Sequence, residues 1–181
     1  KTMKKLLFHF DTDPIASVFD TVVAYDGGAD QLTQLAGVTP EFFNATATTE
    51  IYTRAPKDKK NTALFIGGSD LAAGQELLAA VQKIFFQKFR VSVMLDSNGC
   101  NTTAAAGVAL ITRNVDVAGK TAVVLAGTGP VGQRAAVMLA MMGANVRLTS
   151  RQLDRSKQSC QLMKEKFDVD LGPMVASDDD S

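Results

Sequence analysis

A glycine-rich segment has the residue types and the spacing to bind the phosphates of a nucleotide. Residues 127–132 read Gly-Thr-Gly-Pro-Val-Gly, which is a G-x-G-x-x-G pattern. The first glycine of such a loop permits a tight turn. The second lets a pyrophosphate approach the backbone, and the third lets the following helix pack close to the sheet. The positive N-terminus of that helix then faces the anion. On its own the pattern is weak, and a glycine-rich turn that binds nothing is the alternative.

The segments on either side of the glycines are those that a dinucleotide-binding loop requires. Residues 121–126 are β-branched or apolar, which predicts a buried parallel strand. Residues 133–142 contain neither glycine nor proline and predict a helix, which Gly143 ends. Residues 145–149 predict a second strand. This order of strand, glycine loop, helix and strand favours a dinucleotide-binding fingerprint over a plain turn.

The end of the second predicted strand indicates which dinucleotide binds. An NAD site places an acidic residue about 20 residues beyond the glycines, where it accepts hydrogen bonds from the ribose. Here the strand continues into Ser150 and Arg151, and the first acidic residue is Asp154. A hydroxyl and a guanidinium suit a 2′-phosphate, which a carboxylate would repel. Arg155 would reach the same anion from the next helical turn.

We therefore predict that NADP binds in preference to NAD, with NAD as the second possibility. The alternative is that both arginines are solvated surface charges. The predicted cofactor-binding residues are Gly127, Thr128, Gly129, Pro130, Val131, Gly132, Ser150, Arg151 and Arg155.

The chain divides by its sequence pattern into two regions, and both predict α/β structure. Residues 1–101 alternate strand-like and helix-like segments, among them a helix expected over residues 14–25 with Asp13 as its cap. We predict an N-terminal α/β substrate domain over residues 1–101. A Rossmann-type parallel-sheet nucleotide-binding domain is predicted over residues 102–181. Because a complete dinucleotide fold needs two mononucleotide halves, we expect the second domain to be incomplete and the chain to be truncated.

Two polar segments that follow predicted strands are candidates for substrate binding. Residues 96–103 read Asp-Ser-Asn-Gly-Cys-Asn-Thr-Thr, and residues 11–13 read Asp-Thr-Asp. Ligands of open sheets bind outside the carboxyl ends of strands, and these side chains suit a heterocyclic amide such as a pterin. A well-bonded turn between the regions, with Asp13 as an ordinary cap, is the alternative. The predicted substrate-binding residues are Asp11, Asp13, Asp96, Asn98, Asn101, Thr102 and Thr103.

The chain has no evident base for the oxidation of an alcohol. His9 is the only histidine and lies in an apolar strand pattern, where a packed role is typical, and neither Tyr25 nor Tyr52 begins a Tyr-x-x-x-Lys pattern. Oxidation of an alcohol needs a group that takes the hydroxyl proton. A hydride donor that leaves a resonance-stabilised cation needs only two rings held at reacting distance. We therefore assign no catalytic residue.

Composition excludes several other classes of protein. The chain has 181 residues, of which 19 are basic and 19 acidic, so it lacks the positive surface typical of nucleic-acid or membrane binding. No apolar run approaches the roughly 20 residues that span a bilayer. Cys100 and Cys160 fit neither a disulfide framework nor a metal motif, so we expect reduced thiols, no metal and a cytoplasmic location.

Seven segments in combination resemble one protein family. They are residues 6–13, 17–20, 25–30, 51–54, 94–99, 101–109 and 124–132. Together they resemble bacterial methylene-tetrahydromethanopterin dehydrogenases over essentially the whole chain. The resemblance implies hydride transfer from methylene-tetrahydromethanopterin, or its tetrahydrofolate analogue, to NADP. It also implies that the product is the methenyl form and that the setting is one-carbon metabolism and formaldehyde oxidation.

Two alternatives to this family stay open at the level of sequence. One is another two-domain NADP dehydrogenase, of the folate or shikimate type. The other is a nucleotide-binding module without catalysis. We also expect the protein to form a homo-oligomer.

Overall fold

A computed structural model describes residues 3–176, with residues 46–51 described by their backbone alone. The chain forms two compact units that divide after Gly99. Each unit is built on a parallel sheet with helices, which confirms the predicted α/β class. The assignment of a substrate domain to residues 1–101 and a nucleotide domain to residues 102–181 stays a prediction.

The first unit contains a parallel sheet of four strands. The strands are β1 (Leu6–Asp11), β2 (Gln31–Leu35), β3 (Thr62–Gly67) and β4 (Ser92–Leu95), and the helices are α1 (Val18–Asp26), α2 (Pro40–Tyr52) and α3 (Leu71–Lys83). The strands lie in the order β2-β1-β3-β4. Buried apolar side chains from β1, β3, α2 and α3 form its core, among them Phe10, Phe43, Leu64, Ile66 and Leu77. Because the strands are parallel, the segments that follow β1, β3 and β4 lie at one edge of the sheet.

The first helix begins later than the sequence predicted, so the expected helix over residues 14–25 was wrong at its start. Helix α1 begins at Val18, and the Ser17 hydroxyl caps it by accepting a hydrogen bond from the amide of Asp20 at 3.2 Å. Asp13 is not a helix cap. The carboxylate of Asp11 instead accepts hydrogen bonds from the amides of Asp13 and Ser17, each at 2.9 Å, and so shapes the turn before the helix.

The second unit contains a parallel sheet of three described strands. The strands are β5 (Thr121–Val124), β6 (Asn145–Ser150) and β7 (Gly172–Val175), in that spatial order, and the helices are α4 (Cys100–Thr112), α5 (Pro130–Met141) and α6 (Leu153–Phe167). The buried Ser156 hydroxyl ties α6 to the sheet, because it donates to the carbonyl of Leu148 at 2.6 Å and accepts from the amide of Met174 at 3.2 Å. Across residues 3–176, every helix is too short or too polar to cross a bilayer.

Candidate functional site

The glycine loop joins β5 to α5 and includes the first three residues of that helix, and β6 runs parallel to β5 directly beside it. The order of strand, loop, helix and strand is therefore the order that the sequence predicted. Two hydrogen bonds fasten the loop to β6. The amide of Gly127 donates to the carbonyl of Thr149 at 3.0 Å, and the amide of Ala126 donates to the Thr149 hydroxyl at 3.1 Å. The loop therefore adjoins the strand end that carries Ser150 and Arg151.

The three glycines of the loop differ in what a side chain would meet. A Cβ on Gly127 would lie 2.6 Å from Cδ1 of Leu148, and a Cβ on Gly132 would lie 2.6 Å from Cα of Gly127. At both positions a side chain would collide with neighbouring protein atoms, so only glycine fits. A Cβ on Gly129 would have no described protein atom within 4 Å. The space beside Gly129 is thus open in the protein, as the approach of a pyrophosphate to the backbone requires.

The tight turn of the loop falls one residue earlier than expected. We predicted that Gly127 would permit the tight turn, but the left-handed residue is Ala126, with φ of 50°. The missing side chain of Gly127 serves close packing instead. The turn is held by Thr149, which is 1% exposed and whose hydroxyl also donates to the carbonyl of Val124 at 3.3 Å. Thr149 was not predicted as part of the site, because a threonine inside a strand gives no signal in the sequence.

The first turn of α5 offers backbone donors to an anion. Gly129 precedes the helix in an extended conformation and makes no side-chain cap, and Pro130 at the first position has no amide hydrogen. The amides of Val131 and Gly132 follow in this first turn, whose N–H groups have no acceptor within the helix. These groups and the helix dipole favour a negative charge at this point. Gln133 steadies the loop, because its Nε2 donates to the carbonyl of Thr128 at 2.8 Å.

The residues expected to hold the 2′-phosphate lie at the end of β6 and at the start of α6. Ser150 is mostly buried, and its hydroxyl accepts from the amide of Gln152 at 3.3 Å, so its own hydrogen is still able to donate. Arg151 and Arg155 are exposed. No ion pair joins either guanidinium to a carboxylate within residues 3–176.

The predicted substrate-binding residues are distributed over both units. Asp11, Asp13, Asp96 and Asn98 lie in the first unit, and Asn101, Thr102 and Thr103 lie in the first turn of α4 in the second. The first four are at the edge of the sheet where β1 and β4 end.

Within the first unit, the strand-end segments are bonded to one another. The Asp13 carboxylate accepts from both the amide and the hydroxyl of Ser69, each at 3.0 Å. The amide of Asn98 donates to the carbonyl of Gly68 at 2.7 Å. Asn98 has a left-handed φ of 55°, and its side chain is exposed. Asp11, in contrast, is buried and both its oxygens accept from backbone amides, so its carboxylate organises the loop.

His9 is buried on β1 beside two carboxylates, a cluster that the sequence did not reveal. Its Nε2 lies 3.6 Å from Oδ2 of Asp11 and 3.7 Å from Oδ2 of Asp20. Burial lowers the pKa of His9, and the two carboxylates offset part of this effect. On its other side, Nδ1 lies 2.9 Å from Nε2 of Gln34, which also donates to the carbonyl of Ser17 at 2.9 Å.

Comparison with known proteins finds similarity to one family. Residues 18–98 match the family described as methylene-tetrahydromethanopterin dehydrogenase, N-terminal. The chain is 53% identical over 180 residues to the bifunctional protein MdtA of Methylorubrum extorquens. The alignment covers 98% of this chain and 62% of that protein. It is 32% identical over 163 residues to the NAD(P)-dependent methylenetetrahydromethanopterin dehydrogenase of the same organism, covering 86% of this chain and 55% of that protein. The chain thus spans less than two thirds of the length of either relative.

One solved structure also aligns with the chain. It is a dipicolinate synthase from Bacillus halodurans, which is 12% identical, with a TM-score of 0.33, over 92% of this chain and 66% of that one.

Proposed function

From the premise that the chain belongs to the methylene-tetrahydromethanopterin dehydrogenase family, we propose that the protein oxidises methylene-tetrahydromethanopterin with NADP. A hydride leaves the methylene carbon for the nicotinamide, and the C1 unit becomes the methenyl form. Methylene-tetrahydrofolate is the second candidate substrate. The proposal rests on one observation. Thr149 attaches an open glycine loop to the end of β6, where Ser150 and Arg151 offer a hydroxyl and a guanidinium in place of an acidic side chain.

The second unit is the proposed NADP site. The pyrophosphate lies against the open side of Gly129, where the first-turn amides of α5 donate to it. Arg151 and Arg155 supply the positive charge for the 2′-phosphate, and Ser150 donates through its hydroxyl. A dinucleotide without that phosphate gains nothing from the two guanidinium groups, which is the physical basis for the preference over NAD.

The proposed contacts to the C1 carrier come from the polar residues at strand and helix ends. Asp13, Asp96 and Asn98 contribute from the first unit, and Asn101, Thr102 and Thr103 from the start of α4. Asp11 acts indirectly, because its carboxylate holds the turn that contains Asp13. These groups orient the carrier by hydrogen bonds rather than by taking part in the reaction.

The proposed reaction needs no base. The methenyl product is a resonance-stabilised cation, so hydride departure leaves no proton for a side chain to remove. Catalysis then rests on holding the two rings at reacting distance, which makes orientation the main contribution of the protein. Assay of the full-length gene product with both C1 carriers and both nicotinamides measures this activity directly. Binding of NADP without turnover of either carrier would instead favour a nucleotide-binding module.

The cofactor preference is tested by binding titrations of NADP and NAD to the chain. We expect Arg151→Ala to weaken NADP by about 1–3 kcal/mol, the scale of a hydrogen bond to a charged group, and to leave NAD nearly unchanged. Arg113→Ala, which removes an exposed charge just after α4, is the matched control and should alter neither affinity. Equal losses of NADP and NAD in Arg151→Ala would refute the role in binding the 2′-phosphate.

A further inference from the structure

Three side chains of the first unit converge on one point beneath the carboxyl edge of the sheet. They are His9 and Asp11 on β1 and Asp20 on α1, and their nearest ligand atoms all lie within 4.8 Å of one another. His9 and Asp11 are each 1% exposed, whereas Asp20 is 24% exposed. The cluster is therefore closed on the side of the core and reachable from the side of α1.

The distances within the cluster are too long for direct hydrogen bonds. Nε2 of His9 lies 3.6 Å from Asp11 and 3.7 Å from Asp20, and across residues 3–176 this buried nitrogen has no hydrogen-bond partner. Two donor atoms at about 2.0–2.1 Å from a tetrahedral metal lie about 3.4 Å apart. The separations thus exceed those of a hydrogen bond and approach those of two ligands on one ion.

We propose that His9, Asp11 and Asp20 bind a single divalent ion of the first transition series, with Zn²⁺ as the reference case. One imidazole and two carboxylates are a donor set for Zn²⁺ and its neighbours rather than for Mg²⁺ or Ca²⁺, which prefer oxygen alone. The ion offsets the repulsion between two carboxylates placed close together. Water completes the coordination from the partly exposed side of Asp20.

Gly67 on β3 faces the donor atoms of the cluster. A Cβ on Gly67 would lie 2.5 Å from Nε2 of His9 and 3.3 Å from Oδ2 of Asp20. Any other residue at this position on β3 would therefore occupy the space in front of the donor atoms. The absence of a side chain at Gly67 keeps that space free.

Gln34 is the residue that would orient the imidazole. Metal binding at Nε2 leaves the ring proton on Nδ1, which lies 2.9 Å from the Gln34 amide. In the present arrangement the amide nitrogen faces the ring, and its oxygen accepts from the Thr21 hydroxyl at 3.1 Å. Binding of the ion therefore requires the amide to turn, so that its oxygen accepts from Nδ1–H and the hydrogen bond from Gln34 Nε2 to the carbonyl of Ser17 is lost. Such a partner on the far side of a ligating histidine is usual at metal sites.

The proposed ion would fasten α1 to β1. Its ligands lie on both sides of the turn that contains Asp13, so a bound ion would hold that turn in place. This role does not depend on the identity of the substrate or the nicotinamide.

The test is titration of the chelator-treated chain with Zn²⁺ by calorimetry and with Co²⁺ by visible absorption. The wild-type chain should bind one equivalent, with Co²⁺ bands that report a nitrogen ligand. His9→Gln and Asp20→Asn should each weaken binding at least tenfold, and His9→Gln should change the Co²⁺ spectrum. Asp26→Asn, an exposed carboxylate at the end of the same helix, is the matched control and should bind as the wild type does.

Two results would overturn the proposal. One is a wild-type chain that takes up no stoichiometric Zn²⁺ or Co²⁺, as expected if a water molecule bridges the three side chains. The other is an affinity in His9→Gln equal to that of the wild type. Because Asp20 is partly exposed, Asp20→Asn should keep the fold, and circular dichroism checks this. A rise in Tm with Zn²⁺ in the wild type that is lost in Asp20→Asn gives a second readout.

Discussion

The hydroxyl of Thr149 accepts a hydrogen bond from the amide of Ala126 at 3.1 Å, and this contact joins the glycine loop to the neighbouring strand. Ala126 is left-handed, a conformation that costs a residue other than glycine roughly 1–2 kcal/mol. The same hydroxyl donates to the carbonyl of Val124, so one buried side chain holds both sides of the turn. The loop is therefore positioned by β6 as well as by its glycines.

Replacing Thr149 by valine should loosen this turn. Valine keeps the shape of threonine but removes both hydrogen bonds, so we expect the free energy of unfolding to fall by about 1–2 kcal/mol. NADP binding should weaken as well, because the loop loses its attachment to the strand. Denaturant titration and cofactor titration measure the two effects. Thr149→Ser retains the hydroxyl and should stay close to the wild type. Equal behaviour of the valine and serine variants would show that the hydroxyl does not hold the loop.

Two glycines of the loop should respond to substitution in opposite ways. Gly129→Val should leave the free energy of unfolding nearly unchanged, because the space beside Gly129 is open. The same variant should abolish NADP binding, since its side chain occupies the proposed position of the pyrophosphate. Gly132→Ala should instead destabilise the chain by about 1–3 kcal/mol, the scale of overpacking, because its Cβ would meet the backbone of Gly127.

This pair of variants separates a binding role from a packing role. Both are examined by thermal unfolding without cofactor and by NADP titration of the folded protein. Near-normal NADP affinity in Gly129→Val would mean that the glycine loop serves structure alone.

The sequence predicted elements whose pattern is local and missed contacts between distant segments. The helix predicted over residues 133–142 corresponds to α5, Pro130–Met141, because a continuous run without glycine or proline is visible locally. Strand β2, Gln31–Leu35, was not predicted, since three of its five residues are polar. Gln34 pairs with His9 in the register between β1 and β2. Without that strand, the contact between Gln34 and His9 could not be inferred.

In the candidate site, too, the features encoded by neighbouring residues were predicted, and the contacts between residues distant in sequence were not. The glycine loop was identified because its flanking elements are adjacent in sequence. The support from Thr149 depends on a pairing between strands more than twenty positions apart, as in the hydrogen bond that the amide of Ala126 donates to the Thr149 hydroxyl. Asp13 resembled a helix cap, but it bonds Ser69 across the sheet edge, a partner that only the tertiary fold brings near.

The thiol of Cys160 should react slowly in the folded chain. Burial raises the pKa of Cys160, and a hydrogen bond between the side chains of Cys160 and Ser156 offsets part of that rise. A raised pKa lowers the thiolate fraction at pH 8, and burial limits access of the reagent. Alkylation by iodoacetamide, followed by mass spectrometry, should be at least about tenfold slower than in urea-unfolded chain. Equal rates would show that the side chain is accessible.

The side chain of Asn98 should affect the C1 carrier and not the nicotinamide. Asn98 has a left-handed backbone, so Asn98→Gly removes the side chain without adding strain, whereas Asn98→Ala adds about 1 kcal/mol of backbone cost. In the full-length gene product, both variants should raise KM for the carrier and lower turnover. NADP affinity should stay within about twofold, because Asn98 lies in the first unit. Agreement between the two variants assigns the loss to the side chain. If Asn98→Gly keeps the wild-type KM while Asn98→Ala does not, the residue acts through the backbone turn. Asn98 is then no longer assigned to the proposed substrate site.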